Sequence, residues 1–246
     1  MVIKMVENAI EVRNLKVCYK NMQTYSIREN FFQFKRNKKE EFEAIKGISF
    51  DVPKGQILGI IGKNGSGKST LLRTIGGIFA PDEGSINIFD NTISLLSIGV
   101  GFQVQQTGRT NIMLSGLLLG FSEKEILEKI DEIIAFAEIN DFIDKPVKTY
   151  SSGMYSKLAF SITAILETDI MLIDEVLSVG DEAFRRKSLE KMKTLINDEQ
   201  RTVVIVSHSL NTIKSLCNSV LWLHEGKIRM QGQTEDVIKE YRKYVK

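Results

Sequence analysis

Hydrophobic and polar positions alternate from the start of the chain. Within 9–19, Ile10, Val12 and Val17 are spaced by polar residues, and a period near two predicts a strand. A second strand is expected over 42–52. The run QILGIIG over 56–62 is apolar without alternation, as in a short strand buried on both faces of a sheet. A glycine-rich turn follows, then a helix from Lys68 to about Gly77. Pro81, Asp82, Glu83 and Gly84 predict a turn, with a strand after it over 85–89. From about 107 to 144 the pattern turns helical. Ile126, Ile130, Ile133 and Ile134 repeat at helical spacing, and Ser122 with Glu125 forms a capping-box signature ahead of them. This stretch is the candidate for a separate lobe. Past Tyr150 the expected order is a helix over 154–167, a strand over 169–174, a helix over 182–198 and a strand over 202–207. A short helix, a hairpin over 219–231 turning at Glu225-Gly226, and a helix from Thr234 complete the chain. Strands separated by helices predict an α/β fold with a mostly parallel sheet.

Composition narrows the setting. A chain of 246 residues is long enough for one large packed domain or two small lobes. Its formal net charge of +2 supplies no global attraction for nucleic acid, which is not expected as a partner. Cys18 and Cys217 lie far apart without metal-ligand spacing and read as reduced thiols. The N-terminal MVIKMVENAIEV is too short and polar for a signal peptide, and no apolar run approaches the ~18–20 residues of a spanning helix. Any membrane-spanning part is therefore expected on another chain.

The strongest chemical signal is Gly62-Lys63-Asn64-Gly65-Ser66-Gly67-Lys68-Ser69, which fits G-x-x-x-x-G-K-[ST] between an expected buried strand and an expected helix. Glycines let successive backbone N–H groups curl inward toward phosphate oxygens, and the helix N-terminus adds positive partial charge. Lys68 is expected to reach the β- and γ-phosphates of a nucleoside triphosphate, with the Ser69 hydroxyl on Mg²⁺ and Thr70 completing the loop's helical end. A second signal is the apolar strand Ile170-Met171-Leu172-Ile173 ending in Asp174 and Glu175. Parallel α/β sheets hold ligands at the carboxyl ends of their strands. Asp174 is expected beside Mg²⁺ and Glu175 beside the attacking water as general base.

From here the sequence resembles the ATP-binding cassette family over nearly its whole length. Tyr150-Ser151-Ser152-Gly153-Met154 looks like a variant of that family's LSGGQ signature, with Ser152 in place of glycine and Met154 in place of glutamine. The resemblance implies a P-loop NTPase cassette in a single nucleotide-binding domain over 1–246. It would have a mostly parallel sheet core, an antiparallel β subdomain and a helical subdomain over about 107–165. It also implies ATP and Mg²⁺ as ligands and a head-to-tail homodimer. In that dimer each ATP lies between one chain's phosphate loop and the other's Ser151, Ser152 and Gly153. Gln103 resembles the loop glutamine that touches Mg²⁺ and the attacking water, although Gln105 and Gln106 stand close by. Leu177-Ser178-Val179-Gly180-Asp181 resembles the loop that crosses the dimer interface, and His208 resembles the switch histidine at the γ-phosphate. Tyr19, ending the first strand, is the candidate to stack on adenine, with a core tyrosine as the competing reading.

The signature, the SVGD loop and the run from Gly99 to Gln103 leading into Thr107-Gly108-Arg109-Thr110-Asn111-Ile112 most resemble ATPase subunits exporting teichoic acid, O-antigen or capsular polysaccharide. That subfamily often has Glu where Thr110 stands. The resemblance implies two separate transmembrane permease subunits as partners and a place at the cytoplasmic face of the cell membrane. A drug or lipid exporter is the alternative, and a soluble non-transport ATPase a more distant one. Some relatives carry a carbohydrate-binding domain after the cassette, which is not expected here. An aromatic and basic insertion over about 20–43 contains Phe31, Phe32, Phe34, Lys35, Arg36, Lys38 and Lys39. It reads either as a surface loop or as an amphipathic segment at the membrane surface.

Overall fold

The computed structural model describes residues 7–20, 41–96, 99, 101–174, 180–198 and 200–245. Two sheets and a helical layer make up the fold. The first sheet is antiparallel, ordered β2-β1-β4, from β1 (Asn8–Lys20), β2 (Glu41–Pro53) and β4 (Glu83–Asn87). The second is ordered β5-β6-β7-β3-β8-β9, from β5 (Ile93–Leu96), β6 (Ile170–Asp174), β7 (Thr202–Val206), β3 (Ile57–Ile61), β8 (Ser219–His224) and β9 (Lys227–Gln233). Its first five strands run parallel, and only β9 is antiparallel to its neighbour. The helices are α1 (Lys68–Ile75), α2 (Gly108–Leu118), α3 (Glu123–Ala137), α4 (Ser152–Leu166), α5 (Glu182–Ile196), α6 (Leu210–Leu216) and α7 (Thr234–Val245). Among the described residues, no helix is long and apolar enough to cross a membrane.

A bulge controls the face that β1 buries. Register with β2 shifts between Val12 and Leu15, where Asn14 takes φ 48°. Ile10 and Val12 before the bulge, and Leu15 and Val17 after it, are all buried although the two pairs differ in parity. One extra residue rephases the alternation, so both halves face the same core. Register shifts again between Val17 and Cys18, so Tyr19 lies opposite Phe42 at the strand's end.

Helix α4 explains its own apolar surround. Phe160 and Ala164 pack with Ile173, Ile205 and Trp222 in the core under the large sheet. Leu158, Ile162, Ile165 and Leu166 pack instead with Ile112, Ile126 and Ile133 of α2 and α3. A helix buried on both sides is hydrophobic all round. Its polar interior residues Ser161 and Thr163 spend their hydroxyls on the carbonyls of Lys157 and of Ala159 and Phe160. Cys217 is buried near the same core, and burial pushes its thiol up to about 12.

The capping box at α3 forms as expected. The Ser122 hydroxyl accepts from the Glu125 N–H, and the Glu125 carboxylate accepts from the Ser122 N–H and hydroxyl. Those bonds lower the Glu125 carboxyl below its usual range. Other boundaries move. Strand β4 begins at Glu83 rather than Ser85, because Asp82 and Glu83 are drawn onto β1. Asp82 N–H donates to the Lys16 carbonyl, and Glu83 lies opposite Lys16. The chain then leaves the sheet before Phe89, which takes φ 54° and donates its N–H to the Asn87 side chain. Strand β5 was not expected, since its apolar run carries no period of its own. Only its parallel pairing with β6 makes it a strand. Of the 20–43 insertion, Lys20 ends β1 and 41–43 open β2, while the aromatic and basic run from Phe31 to Lys39 lies outside the described residues.

Candidate nucleotide-binding site

Strand β3 is paired in parallel on both sides, with β7 and β8, and ends at Ile61. The chain then turns into α1 through the expected phosphate loop. Gly67 sits at the N-cap with φ 101° and ψ 6°, and α1 has no side-chain cap at this end. A Cβ on Gly67 would lie 2.5 Å from the Ala44 carbonyl oxygen. One on Gly62 would lie 2.2 Å from the Leu223 carbonyl oxygen and 2.5 Å from Ser66 Oγ. Glycine is therefore required at both ends of the loop, by contact as well as by handedness. The hairpin between β8 and β9 bolts the loop in place: Gly226 N–H donates to the Ser66 carbonyl, and Lys46 N–H donates to the Gly226 carbonyl.

Lys68 is 6% exposed, and its ammonium donates to the carbonyls of Gly62 (2.9 Å) and Lys63 (3.0 Å). A buried cation held at the loop's mouth, beside an uncapped helix N-terminus, suits an anionic ligand. Ser66 Oγ is buried without a hydrogen-bond partner among the described residues. Such an orphaned hydroxyl inside a loop of inward-facing amides fits phosphate oxygens as its missing partner.

The Ser69 hydroxyl donates to Asp174 Oδ1 at 3.1 Å, joining the phosphate loop to the end of β6. Two hard oxygen donors meeting there fit Mg²⁺. Arg73, one turn further along α1, brings Nη2 to 3.9 Å from the other Asp174 oxygen. Strand order explains the meeting. Strands β6, β7 and β3 are consecutive neighbours, so Asp174, the segment bearing His208 and the phosphate loop all emerge at the carboxyl edge of one parallel sheet. His208 is exposed there, between β7 and α6, while the buried Ser207 hydroxyl accepts from Ser209 N–H. Glu175 and Leu177, Ser178 and Val179 lie outside the described residues.

Tyr19 is 43% exposed, which excludes the core-tyrosine alternative. Its hydroxyl is 3.0 Å from Thr70 Oγ1, and its ring meets Phe79 edge to face. The first strand thus ends beside the helical end of the phosphate loop. Gln103 is exposed, with its backbone held by the wholly buried Asn111 side chain.

The remaining expected residues gather elsewhere. Ser151 caps α4 by accepting from Met154 N–H, with Ser152 exposed and Gly153 half-buried beside it. Asp181 caps α5 by accepting from Phe184 N–H, and Lys157 of α4 pairs with it at 2.6 Å. These two bonds, the lysine first, lower the Asp181 carboxyl to about 2. Among the described residues, no interaction of Ser151 or Asp181 reaches the phosphate loop of the same chain. Three neighbours of the site escaped the sequence reading: Arg73, Asn111 and Lys157. Of these only Asn111 carried a signal, since it lies in the Thr107–Ile112 run already singled out.

A glycine cradle on a parallel sheet, facing an acid at the end of the strand two places away, defines a P-loop NTPase cassette. The chain matches the family described as ABC transporter over residues 45–178, a little over half its length, and it belongs to that family. It is 41% identical over 243 residues to the O-antigen export system ATP-binding protein RfbB of Myxococcus xanthus, covering 94% of this chain and 55% of the relative. It is 46% identical over 217 residues to the teichoic acids export ATP-binding protein TagH of Enterococcus faecalis, covering 88% and 48%. The chain thus spans about half the length of these curated relatives, although it covers 72% of a Listeria monocytogenes TagH at 39% identity. Among solved structures, it resembles an ATP-binding subunit of an ABC transporter with a TM-score of 0.70 at 20% identity, covering 95% of this chain and 93% of that one. A dimeric ATP-binding cassette bound to ADP and phosphate aligns with a TM-score of 0.68 at 20% identity, covering 92% and 98%. Those two likenesses establish the fold.

Proposed function

We propose that this chain is the ATP-hydrolysing nucleotide-binding subunit of an exporter for a lipid-linked polysaccharide or teichoic acid. It pairs with a second copy of itself and with two membrane-spanning permease subunits at the cytoplasmic face of the cell membrane. The observation that carries the ATPase reading is the Ser69–Asp174 bond at 3.1 Å, made within the glycine cradle that holds Lys68. The names of its curated relatives support the cargo class.

In this reading Lys68 exchanges the Gly62 and Lys63 carbonyls for β- and γ-phosphate oxygens, and the loop amides with Ser66 Oγ bind the rest of the phosphate chain. Tyr19 stacks on adenine. Ser69, Asp174 and Gln103 would hold Mg²⁺, which when bound neutralises charge on the β- and γ-oxygens. Glu175 takes the proton of the attacking water, and His208 holds the γ-phosphate in line. Ser151, Ser152 and Gly153 of a second copy close the opposite side, and Asp181 sits at the rim of that interface. A two-fold axis completes both sites together, because each chain offers one half of each. Exposed Val104, Leu117 and Leu118, near Gln103, support docking of an apolar permease segment.

The test is Glu175→Gln. With Mg²⁺ and ATP it accumulates as a dimer in gel filtration or light scattering, with hydrolysis abolished. A wild-type hydrolysis rate removes Glu175 as base, and a strictly monomeric ATP-bound protein removes the shared site.

A further inference from the structure

Asn111 lies in the first turns of α2, next to the core residue Ile112. It is wholly buried. Its Oδ1 accepts from Gln103 N–H at 2.6 Å. Its Nδ2 donates to the carbonyls of Gln103 (3.0 Å), Gln106 (3.3 Å) and Thr107 (2.8 Å). A buried carboxamide is tolerated only when its donors and acceptor are satisfied. Here three of the four bonds go to the loop at Gln103 and Gln106, and one goes to the helix cap.

The other side of the loop is strapped as well. Lys148 N–H donates to the Val104 carbonyl, Val147 N–H to the Gln106 carbonyl, and Thr107 bridges Pro146. Those straps leave the Gln103 backbone N–H to Asn111. The Gln103 side chain is exposed, and among the described residues its backbone is what Asn111 holds.

We propose that Asn111 is a positioning residue for ATP hydrolysis, setting the backbone of Gln103 so that the Gln103 carboxamide reaches the Mg²⁺ and the attacking water. This rests on the role assigned above to Gln103. A loop residue displaced by an ångström loses rate far more than ground-state affinity.

The experiment compares wild type, Asn111→Ser, Gln103→Ala and the double variant, each as the full chain with Mg²⁺ and ATP. Serine at 111 can return a bond to the Thr107 carbonyl and keep the helix start. Asn111→Ala, the stronger helix former, serves as the second variant and is expected to behave alike. In Asn111→Ser, kcat falls about 10- to 100-fold and KM for ATP stays within about threefold. Amide hydrogen exchange quickens at Gln103. In the Gln103→Ala background, Asn111→Ser lowers kcat no further. An unchanged kcat in a folded Asn111 variant, unchanged exchange at Gln103, or a multiplicative loss in the double variant overturns the link and leaves Gln103's role standing. A wild-type rate in Gln103→Ala alone overturns that role, and the link with it.

Discussion

Replacing Gly67 by alanine isolates the physical demand the phosphate loop places on its own backbone. Gly67 holds φ 101°, a conformation costing an L-residue roughly 1–2 kcal/mol. Its new Cβ would stand 2.5 Å from the Ala44 carbonyl and 2.9 Å from Ile45 Cδ1. Ile45 belongs to a wholly buried core, so β2 cannot retreat freely, and overpacking of this kind costs about 1–3 kcal/mol. The two effects together predict a loss of about 2–5 kcal/mol. For a domain of this size that lowers the melting temperature by about 4–20 °C. Gly77→Ala is the control. Gly77 has φ 72° with nothing within 4 Å of a new Cβ, so it carries the handedness cost alone, about 2–8 °C. Differential scanning calorimetry of both variants beside wild type measures the difference. If Gly67→Ala melts no lower than Gly77→Ala, the contact with β2 is not what reserves this position for glycine, and the reasoning fails.

Two further expectations concern helix ends. Lys157→Ala removes the larger of the two bonds that lower Asp181, so its carboxyl rises from about 2 toward 3.8, remaining somewhat low through Phe184 N–H. Because the folded value is depressed, the stabilisation from this group is present above about pH 3.8 and fades as pH falls through about 2. Carboxyl-carbon NMR titration reads the shift, and an unmoved midpoint rejects the pair as its cause. Thr110→Glu places a carboxylate at the third position of α2, whose N-cap Thr107 already accepts from the Thr110 N–H and meets its hydroxyl at 3.0 Å. Completing that capping box is expected to add about 0.3–1.5 kcal/mol and raise the melting temperature by about 1–6 °C. A melting temperature that stays put or drops counts against it.

Local sequence carried the parts whose physics is local. The phosphate loop was legible because its glycines, its lysine and its helix start lie within eight consecutive residues and answer to one backbone path. The Ser122–Glu125 box was legible for the same reason. The buried strands β3, β6 and β7 could be read from short apolar runs, since a strand covered on both faces has no polar side to show. Strand β5 could not, because its run looks the same in a loop and becomes a strand only against β6. The extended start of β4 escaped for a similar reason: Asp82 and Glu83 look like a turn until β1 pairs with them.

By itself, then, the chain's order of residues determined the class of fold, the cradle and the acid that faces it. Tertiary structure alone decided which distant pieces meet. The pairing of β1 with β2 carried Tyr19 to Thr70, and the order β6-β7-β3 brought Asp174 to Ser69. Asn111 spent its buried carboxamide on Gln103 rather than on solvent. Periodicity records what each residue does with its own neighbours. Pairing, register and burial depend on partners as far off in sequence as Asp174 is from Ser69, and only the packed chain selects them.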